Sequence, residues 1–335
     1  MTVPRRSLDL CAAARAAGRT QLTELEGLEL AAELGLGVPR WLRFSTPEEA
    51  AELDLGALPG ARVVLKAVSE TILHKSELGA VAVVDKHPEA VAEALDAMIE
   101  RLAGRPVDGF CLQEWVPHDA ALGGQILLGL RWTPAFGPVV ALGAGGLDAE
   151  ALARGGFPPL LRSPSVASDE DLAGALERHP FTARLLRPDR GRPPRIERSA
   201  LVGLVGRFLG LAASACPAPL AELELNPVAL TPRGPVALDA VARLGAPESA
   251  YPPRPLDKID RLLAPRSVAV IGVSGRMNPG RRVLRNLIEA GLDRERLWVV
   301  KEGAAEVDGC ACVPSVAALP EPVDLLVLAV DAAQV

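Results

Sequence analysis

The chain has 335 residues, a net charge of −6, and nearly half its residues apolar with only 3% aromatic. That length allows two or more domains, with cores packed from Leu, Val and Ala. The arginines are scattered, which speaks against a nucleic-acid surface, and no apolar run reaches the roughly 18–20 residues of a membrane-spanning helix.

The N-terminal stretch Met1–Arg6 lacks the apolar run of a secretory signal. The cysteines Cys11, Cys111, Cys216, Cys310 and Cys312 show neither disulfide spacing nor paired C-x-x-C metal units. Both observations fit reduced thiols in a cytoplasm. A helical extension over residues 1–20 precedes a helix from Leu22 to Leu34, with Leu22, Leu25, Leu28 and Ala31 on one face. Strands are predicted at Val63–Val68 and Ala80–Val84, then a helix from Glu89 to Leu102. Further strands follow at Phe110–Val116, Gln125–Arg131 and Pro138–Leu142. Asp169–Leu186 and Arg198–Ala213 read as helices around the Pro/Arg-rich loop Pro188–Pro194, and strands return at Leu220–Leu225 and Pro235–Ala240. Antiparallel strands mixed with helices give an α+β layout to residues 21–245. Residues 246–256 are rich in Pro and read as a linker. From 257 to 335 the pattern turns to βαβ, with a buried strand Ser267–Gly272, a turn to Gly280, a helix Arg281–Ala290 and strands at Arg296–Val300 and Val323–Val330. A doubly wound sheet takes at least one more helix, so this α/β domain is expected to be C-terminally incomplete, as in a piece of a longer protein.

Only five of the 36 basic residues are lysines, and Lys66 and Lys75 are two of the five. Lys66 sits inside an apolar strand, where an ammonium needs an anion beside it, and a compact point charge suits phosphate. A lysine snorkelling from a strand end gives the same pattern. His74, beside Lys75 and Ser76, is either a solvated loop residue or a phosphoryl acceptor: its neutral imidazole attacks while the nearby cations screen charge. His87, His118 and His179 sit next to Pro or Asp and read as surface residues. Strand alternation puts Glu222, Glu224 and Asn226 on one face, and Asp239 can return opposite them. Such oxygens suit Mg²⁺, which takes one or two carboxylates plus phosphates; a solvated acidic face is the alternative. Gln113 and Glu114 end an apolar strand where backbone groups would read an adenine. The strand into Gly143–Gly146 ends in a turn that either admits a phosphate or is merely tight. Gly272–Gly280 joins a strand to a helix, the setting for an anion. It lacks G-x-G-x-x-G, and Val300 leads to Lys301 rather than to an acidic residue, so a phosphorylated ligand such as coenzyme A fits better than NAD.

Taken together, these residues resemble the NDP-forming acyl-CoA synthetases, typified by ADP-forming acetate–CoA ligase and related to succinyl-CoA synthetase. Leu22-Thr23-Glu24, Val64-Leu65-Lys66, Ile72-Leu73-His74-Lys75-Ser76-Glu77, Phe136–Val140 and Glu224-Leu225-Asn226-Pro227 resemble the family's ATP-grasp domain. Leu263–Gly272 and Pro320–Leu325 resemble the start of its CoA-binding domain. The resemblance implies an ATP-grasp fold followed by an incomplete Rossmann-like CoA-binding domain. It implies Glu24, Lys66, Lys75, Gln113, Glu114, Gly145 and Gly146 at ATP or ADP, and Asn226, Asp239 and Glu224 at Mg²⁺. His74 would carry the phosphoryl group between the nucleotide and a distant acyl-CoA site, and Gly272, Ser274, Gly280 and Lys301 would meet coenzyme A. The implied reaction is acyl-CoA + ADP + phosphate ⇌ carboxylate + CoA + ATP, driven mostly by positioning and cationic charge. The implied partners are a small carboxylic acid or acyl-CoA and a CoA-ligase domain or subunit bearing the other phosphohistidine, with no nucleic acid and no membrane. The chain departs from the family pattern at Gln125, where a glutamate is expected, at Thr133, where an aspartate precedes Pro134, and at Lys301-Glu302-Gly303, in place of Asn-Pro-Lys. Two other functions share these motifs: an ATP-grasp ligase that passes through an acyl phosphate without enzyme phosphorylation, and a non-catalytic ATP- or CoA-sensing module.

Overall fold

The computed structural model describes residues 5–69, 78–146, 149–166, 168–188, 191–246 and 256–331. The chain divides into two compact units, Met1–Ser249 and Ala250–Val335.

The first unit opens with α1 (Arg5–Ala16) and α2 (Glu24–Glu33). A reciprocal cap starts α2: Thr23 N–H donates to Glu26 Oε2 at 2.7 Å, and Glu26 N–H donates to Thr23 Oγ1 at 3.3 Å. Two donors that a helix start would leave orphaned are thereby satisfied. Leu25, Leu28 and Ala31 are buried on one face, as their spacing predicts. The N-terminal extension is tied into the same core. Cys11 and Ala14 of α1 are buried there, and Leu22 N–H donates to Ala242 O while Leu244 N–H donates to Thr20 O.

A small antiparallel sheet follows, built from β1 (Trp41–Phe44), β2 (Arg62–Val68), β3 (Val81–Asp85) and β4 (Gly109–Glu114) in the order β1-β4-β2-β3. The helices α3 (Pro47–Ala51) and α4 (Pro88–Arg101) accompany it. The alternation of β2 divides its two faces. Val63, Leu65 and Ala67 pack with Val91, Leu95 and Met98 of α4, whereas Val68 and the cross-strand neighbour Cys111 belong to the larger core. Lys66, registered against Cys111, leaves β2 on that second side.

The larger sheet runs β10-β8-β5-β6-β7, with β9 also paired to β8, and its pairings are antiparallel. Its elements in chain order are β5 (Gln125–Thr133), β6 (Gly137–Ala144), α5 (Ala149–Arg154), β7 (Leu160–Arg162), α6 (Asp169–Arg178), α7 (Pro180–Leu186), α8 (Arg198–Ala215), β8 (Leu220–Thr231), β9 (Gly234–Ala237) and β10 (Ala240–Leu244). The single helix expected over Asp169–Leu186 is two. His179 is extended and Pro180 begins the second, because the proline ring disfavours a helical residue before it. By length and composition α8 is apolar enough to cross a bilayer. Its Leu201, Leu204 and Phe208 are fully buried, and the helix lies against β5 and β6, so its apolar face serves the core.

The second unit contains α9 (Ile259–Leu263), β11 (Val268–Ile271), α10 (Pro279–Glu289), β12 (Leu297–Val300), β13 (Glu306–Val307), β14 (Cys310–Val313) and β15 (Leu325–Leu328). Its strand order is β13-β14-β12-β11-β15, and β11 is parallel to both β12 and β15. The chain steps from β11 to β12 on one side and later returns to β15 on the other. The loop after β11 therefore lies at a topological switch point, where open α/β sheets bind ligands.

Candidate active site

In the first unit, β2, α2 and the turn before β10 converge on one ammonium group. Lys66 Nζ donates to Glu24 Oε1 at 2.5 Å and to Leu238 O at 2.8 Å. Gln113 Nε2 donates to the same Glu24 oxygen at 3.4 Å. Lys66, Glu24 and Gln113 are all buried. Burial pulls the ammonium toward neutrality, but Glu24 and then Asp239 outweigh it and hold Lys66 charged, with its pKa raised above the usual lysine range. Such a site keeps a fixed cation in a dry environment, where its field reaches an anion with little screening.

Next to it lies a set of oxygen donors. Leu223 and Leu225 of β8 are buried, while Glu222, Glu224 and Asn226 on the alternate positions are half-buried. Ala240 is registered against Leu225, which brings Asp239 level with Asn226. Burial first, and then the charge of Glu222, push the Glu224 carboxyl up from its usual value, against a hydrogen bond from Asn226. Among the described residues no cluster of three or more His, Cys, Asp or Glu could by itself hold a metal ion. Two carboxylates and an amide oxygen instead fit a cation that draws its remaining ligands from water and phosphate, as Mg²⁺ does.

The glycine turn closes against these donors. Gly146 N–H donates to Asn226 Oδ1 at 2.9 Å. A Cβ at Gly145 would meet the Ile126 carbonyl at 2.4 Å, so only glycine lets the turn lie this close to β5. Gln125, the departure from the expected glutamate, sits beneath Gly146 and has its amide nitrogen 2.7 Å from His118 Nε2. The other ring nitrogen, His118 Nδ1, is 2.8 Å from Val116 O. A carbonyl only accepts, so Nδ1 carries the proton and Nε2 accepts from Gln125. His118, expected at the surface, is thus a half-buried strut under the turn, and half-buried His179 likewise bonds Pro158 O through Nε2. Glu114 faces a different neighbourhood: its Oε2 accepts from Arg40 N–H at 3.3 Å, and Oε1 lies 3.8 Å from Arg233. His74 and Lys75 lie outside the described residues.

In the second unit, Gly272 and Lys301 stand at the C-terminal ends of the adjacent parallel strands β11 and β12. Gly272 has φ +88°, and a Cβ there would meet Ala329 O. Gly280, at the start of α10, is equally constrained, since its Cβ would lie 2.5 Å from Gly272 O. Asn278 binds the loop together, donating through Nδ2 to Gly272 O at 2.7 Å and accepting at Oδ1 from Arg281 N–H at 2.9 Å. Ser274 donates its N–H to the same oxygen at 3.3 Å and its hydroxyl to Arg276 O at 2.6 Å. Asn278 was not singled out from the sequence, although an Asn directly before Pro279 is a helix N-cap signal.

A family model described as an ATP-grasp domain matches residues 13–244, and one described as a CoA binding domain matches residues 266–335. Acetate–CoA ligase (ADP-forming) II of Archaeoglobus fulgidus is 28% identical over 317 residues, covering 93% of this chain and 43% of that protein. Acetate–CoA ligase (ADP-forming) I subunit beta of Pyrococcus furiosus is 27% identical over 221 residues, covering 65% of this chain and 90% of the subunit. The chain therefore spans less than half of the first of these relatives. Among solved structures, acetyl-coenzyme A synthetase 1 of Ca. Korarchaeum cryptofilum with coenzyme A, acetyl-coenzyme A and a phosphorylated phosphohistidine segment gives a TM-score of 0.58 at 27% identity, over 71% of this chain and 99% of that one. The same protein with coenzyme A and Mg-AMPPCP, its phosphohistidine segment pointing towards the nucleotide binding site, gives 0.56 at 28% identity over the same shares.

Proposed function

The chain belongs to the ATP-grasp family, and we propose that it is the nucleotide-handling and CoA-binding part of an ADP-forming acyl-CoA synthetase. The reaction interconverts acyl-CoA, ADP and phosphate with carboxylate, CoA and ATP. The observation that carries this reading is the buried Lys66 cation, bonded to Leu238 O and beside Asp239, which lies level with Asn226 across the β8–β10 pair. One strand presents a fixed positive charge to phosphate, and the facing strands present hard oxygens to a cation that phosphate also binds.

In this reading Lys66 orients the nucleotide phosphates, and Glu24 and Gln113 hold its ammonium at a fixed point. Glu224, Asn226 and Asp239 would hold Mg²⁺, which when bound neutralises phosphate charge. The turn at Gly145 and Gly146 lets the phosphates approach the backbone closely. His74 acts as the phosphoryl carrier: its imidazole nitrogen forms a bond to the γ-phosphorus of ATP as the bond to the ADP oxygen breaks, and the reverse step makes ATP. Lys75 screens the charge of the phosphorylated ring. Gly272, Ser274, Gly280 and Lys301 line the coenzyme A site, and the acyl partner is a small carboxylic acid. The existence of a separate beta subunit in the Pyrococcus enzyme supports a partner domain or subunit that carries the other phosphohistidine. None of the five cysteines is joined in a disulfide, in keeping with a cytoplasmic setting.

The test is incubation with γ-labelled ATP and Mg²⁺. Acid-labile label on the chain that disappears in His74→Ala is the expected result. An intact chain that binds ATP and takes up no label would refute the phosphohistidine route.

A further inference from the structure

We propose that His118 and Gln125 are positioning residues for the nucleotide phosphates, tying the Gly145–Gly146 turn to the chain that follows β4. The inference rests on the nucleotide reading above. It gives a role to Gln125, which stands where the resemblance leads to a glutamate, and to a histidine that the sequence places at the surface.

The two side chains close the connection between β4 and β5, which ends at Gln125. His118 Nδ1 donates to Val116 O at 2.8 Å, and Nε2 accepts from Gln125 Nε2 at 2.7 Å. Val116 is buried and lies two residues beyond Glu114, where the strand end would read the base. The connection between them is itself compact. Gly124 N–H donates to Ala121 O at 2.8 Å, and a Cβ on Gly124 would collide with Asp119 O. Asp119 is held in turn, by Arg195 on one oxygen and by Ala121 N–H on the other.

Gln125 then supports the turn twice. Its main-chain oxygen accepts from Gly145 N–H at 3.2 Å. Its side-chain oxygen lies so close under Gly146 that any Cβ there would strike it. Gly146 N–H continues to Asn226 Oδ1 at 2.9 Å, an oxygen assigned above to Mg²⁺. One run of contacts thus joins the base end of the site, at Val116, to its phosphate and cation end, at Asn226. The amide is the group that completes it. Its nitrogen donates to the ring while its oxygen faces the glycine, and His118 needs only one proton to make both of its bonds. A glutamate could only accept, so both ring nitrogens would then have to carry protons. Gln125 therefore fixes the turn without setting a carboxylate beneath the place where phosphates approach the backbone.

The test is calorimetry with MgATP on the full chain, comparing wild type, Q125L, H118A, the double variant Q125L/H118A and H118Q. Each is first shown to be folded by urea denaturation. If Q125L or H118A does not fold, Q125N and H118N, which shorten the contact but keep polar groups, take their places. Each single variant is expected to bind MgATP about tenfold more weakly, as the loss of one or two hydrogen bonds implies. The double variant should bind no more weakly than the worse single one, because the two residues act through one contact. H118Q, whose amide oxygen can accept where Nε2 did, should recover part of the loss. Nitrogen-15 NMR adds a signature that packing alone would not produce: the His118 ring, assigned by its absence in H118A, should carry its proton on Nδ1 in wild type and shift when MgATP is added. A wild type that binds no MgATP overturns the nucleotide reading and this inference with it. MgATP binding that is unchanged in Q125L and H118A overturns the inference alone. So do losses that add in the double variant, or a His118 ring protonated on Nε2.

Discussion

Lys66 and Glu24 form an ion pair at 2.5 Å although 42 residues separate them, and their side chains are only 8% and 4% exposed. Removing one partner of such a pair strands the other charge in a dry interior, which costs about 3–5 kcal/mol. K66M should therefore destabilise the chain by about that amount, since Glu24 would lose the ammonium it is paired with. The double variant E24Q/K66M should recover most of the loss and still bind MgATP far more weakly than wild type. Urea denaturation with calorimetry checks both halves. A double variant as unstable as K66M would mean that packing, not charge pairing, sets the cost.

A pH dependence follows from the residue that caps the same helix. Burial works to raise the Glu26 carboxyl, but hydrogen bonds from Arg19 and Thr23 win and hold it below its usual 4.5. Arg19 grips it with two bonds of 2.7 and 2.8 Å. Between the lowered value and 4.5 the unfolded chain binds the extra proton, so this contribution is present above 4.5 and is lost as pH falls through the folded value. E26Q should cost about 1 kcal/mol at neutral pH, a typical cap contribution. Urea midpoints of the two proteins should converge in acid; a constant gap would show that the charge on Glu26 contributes nothing.

Lys66 was legible in the sequence because an ammonium inside an apolar strand has few innocent explanations. Glu222, Glu224 and Asn226 were legible because strand period fixes which residues share a face. Their meeting was not legible. The carbonyl that joins Lys66 to the oxygen set belongs to Leu238, 172 residues away, and any residue type supplies a carbonyl. The break at His179–Pro180 was signalled by its proline, but the apolar periodicity on both sides ran through it. β1, with four residues and no alternation, offered no pattern to find.

In the second unit, one amide decides the shape of the proposed coenzyme A turn. Asn278 Oδ1 accepts from Arg281 N–H at 2.9 Å and from Ser274 N–H at 3.3 Å, while Nδ2 donates to Gly272 O at 2.7 Å. N278A removes all three bonds and should cost about 1 kcal/mol, as loss of an N-cap does. N278D keeps the acceptor and adds a negative charge favourable to the helix dipole, so its stability should stay close to wild type. Ligand binding should follow the opposite order. The aspartate no longer donates to Gly272 O, and it sets a negative charge where ligand phosphates would come closest to the helix N-terminus. Coenzyme A affinity should therefore fall in N278A and fall further in N278D, although N278D is the more stable protein. Urea denaturation and calorimetry with coenzyme A separate the two effects. If N278D binds coenzyme A as well as wild type, the ligand phosphates do not approach this turn.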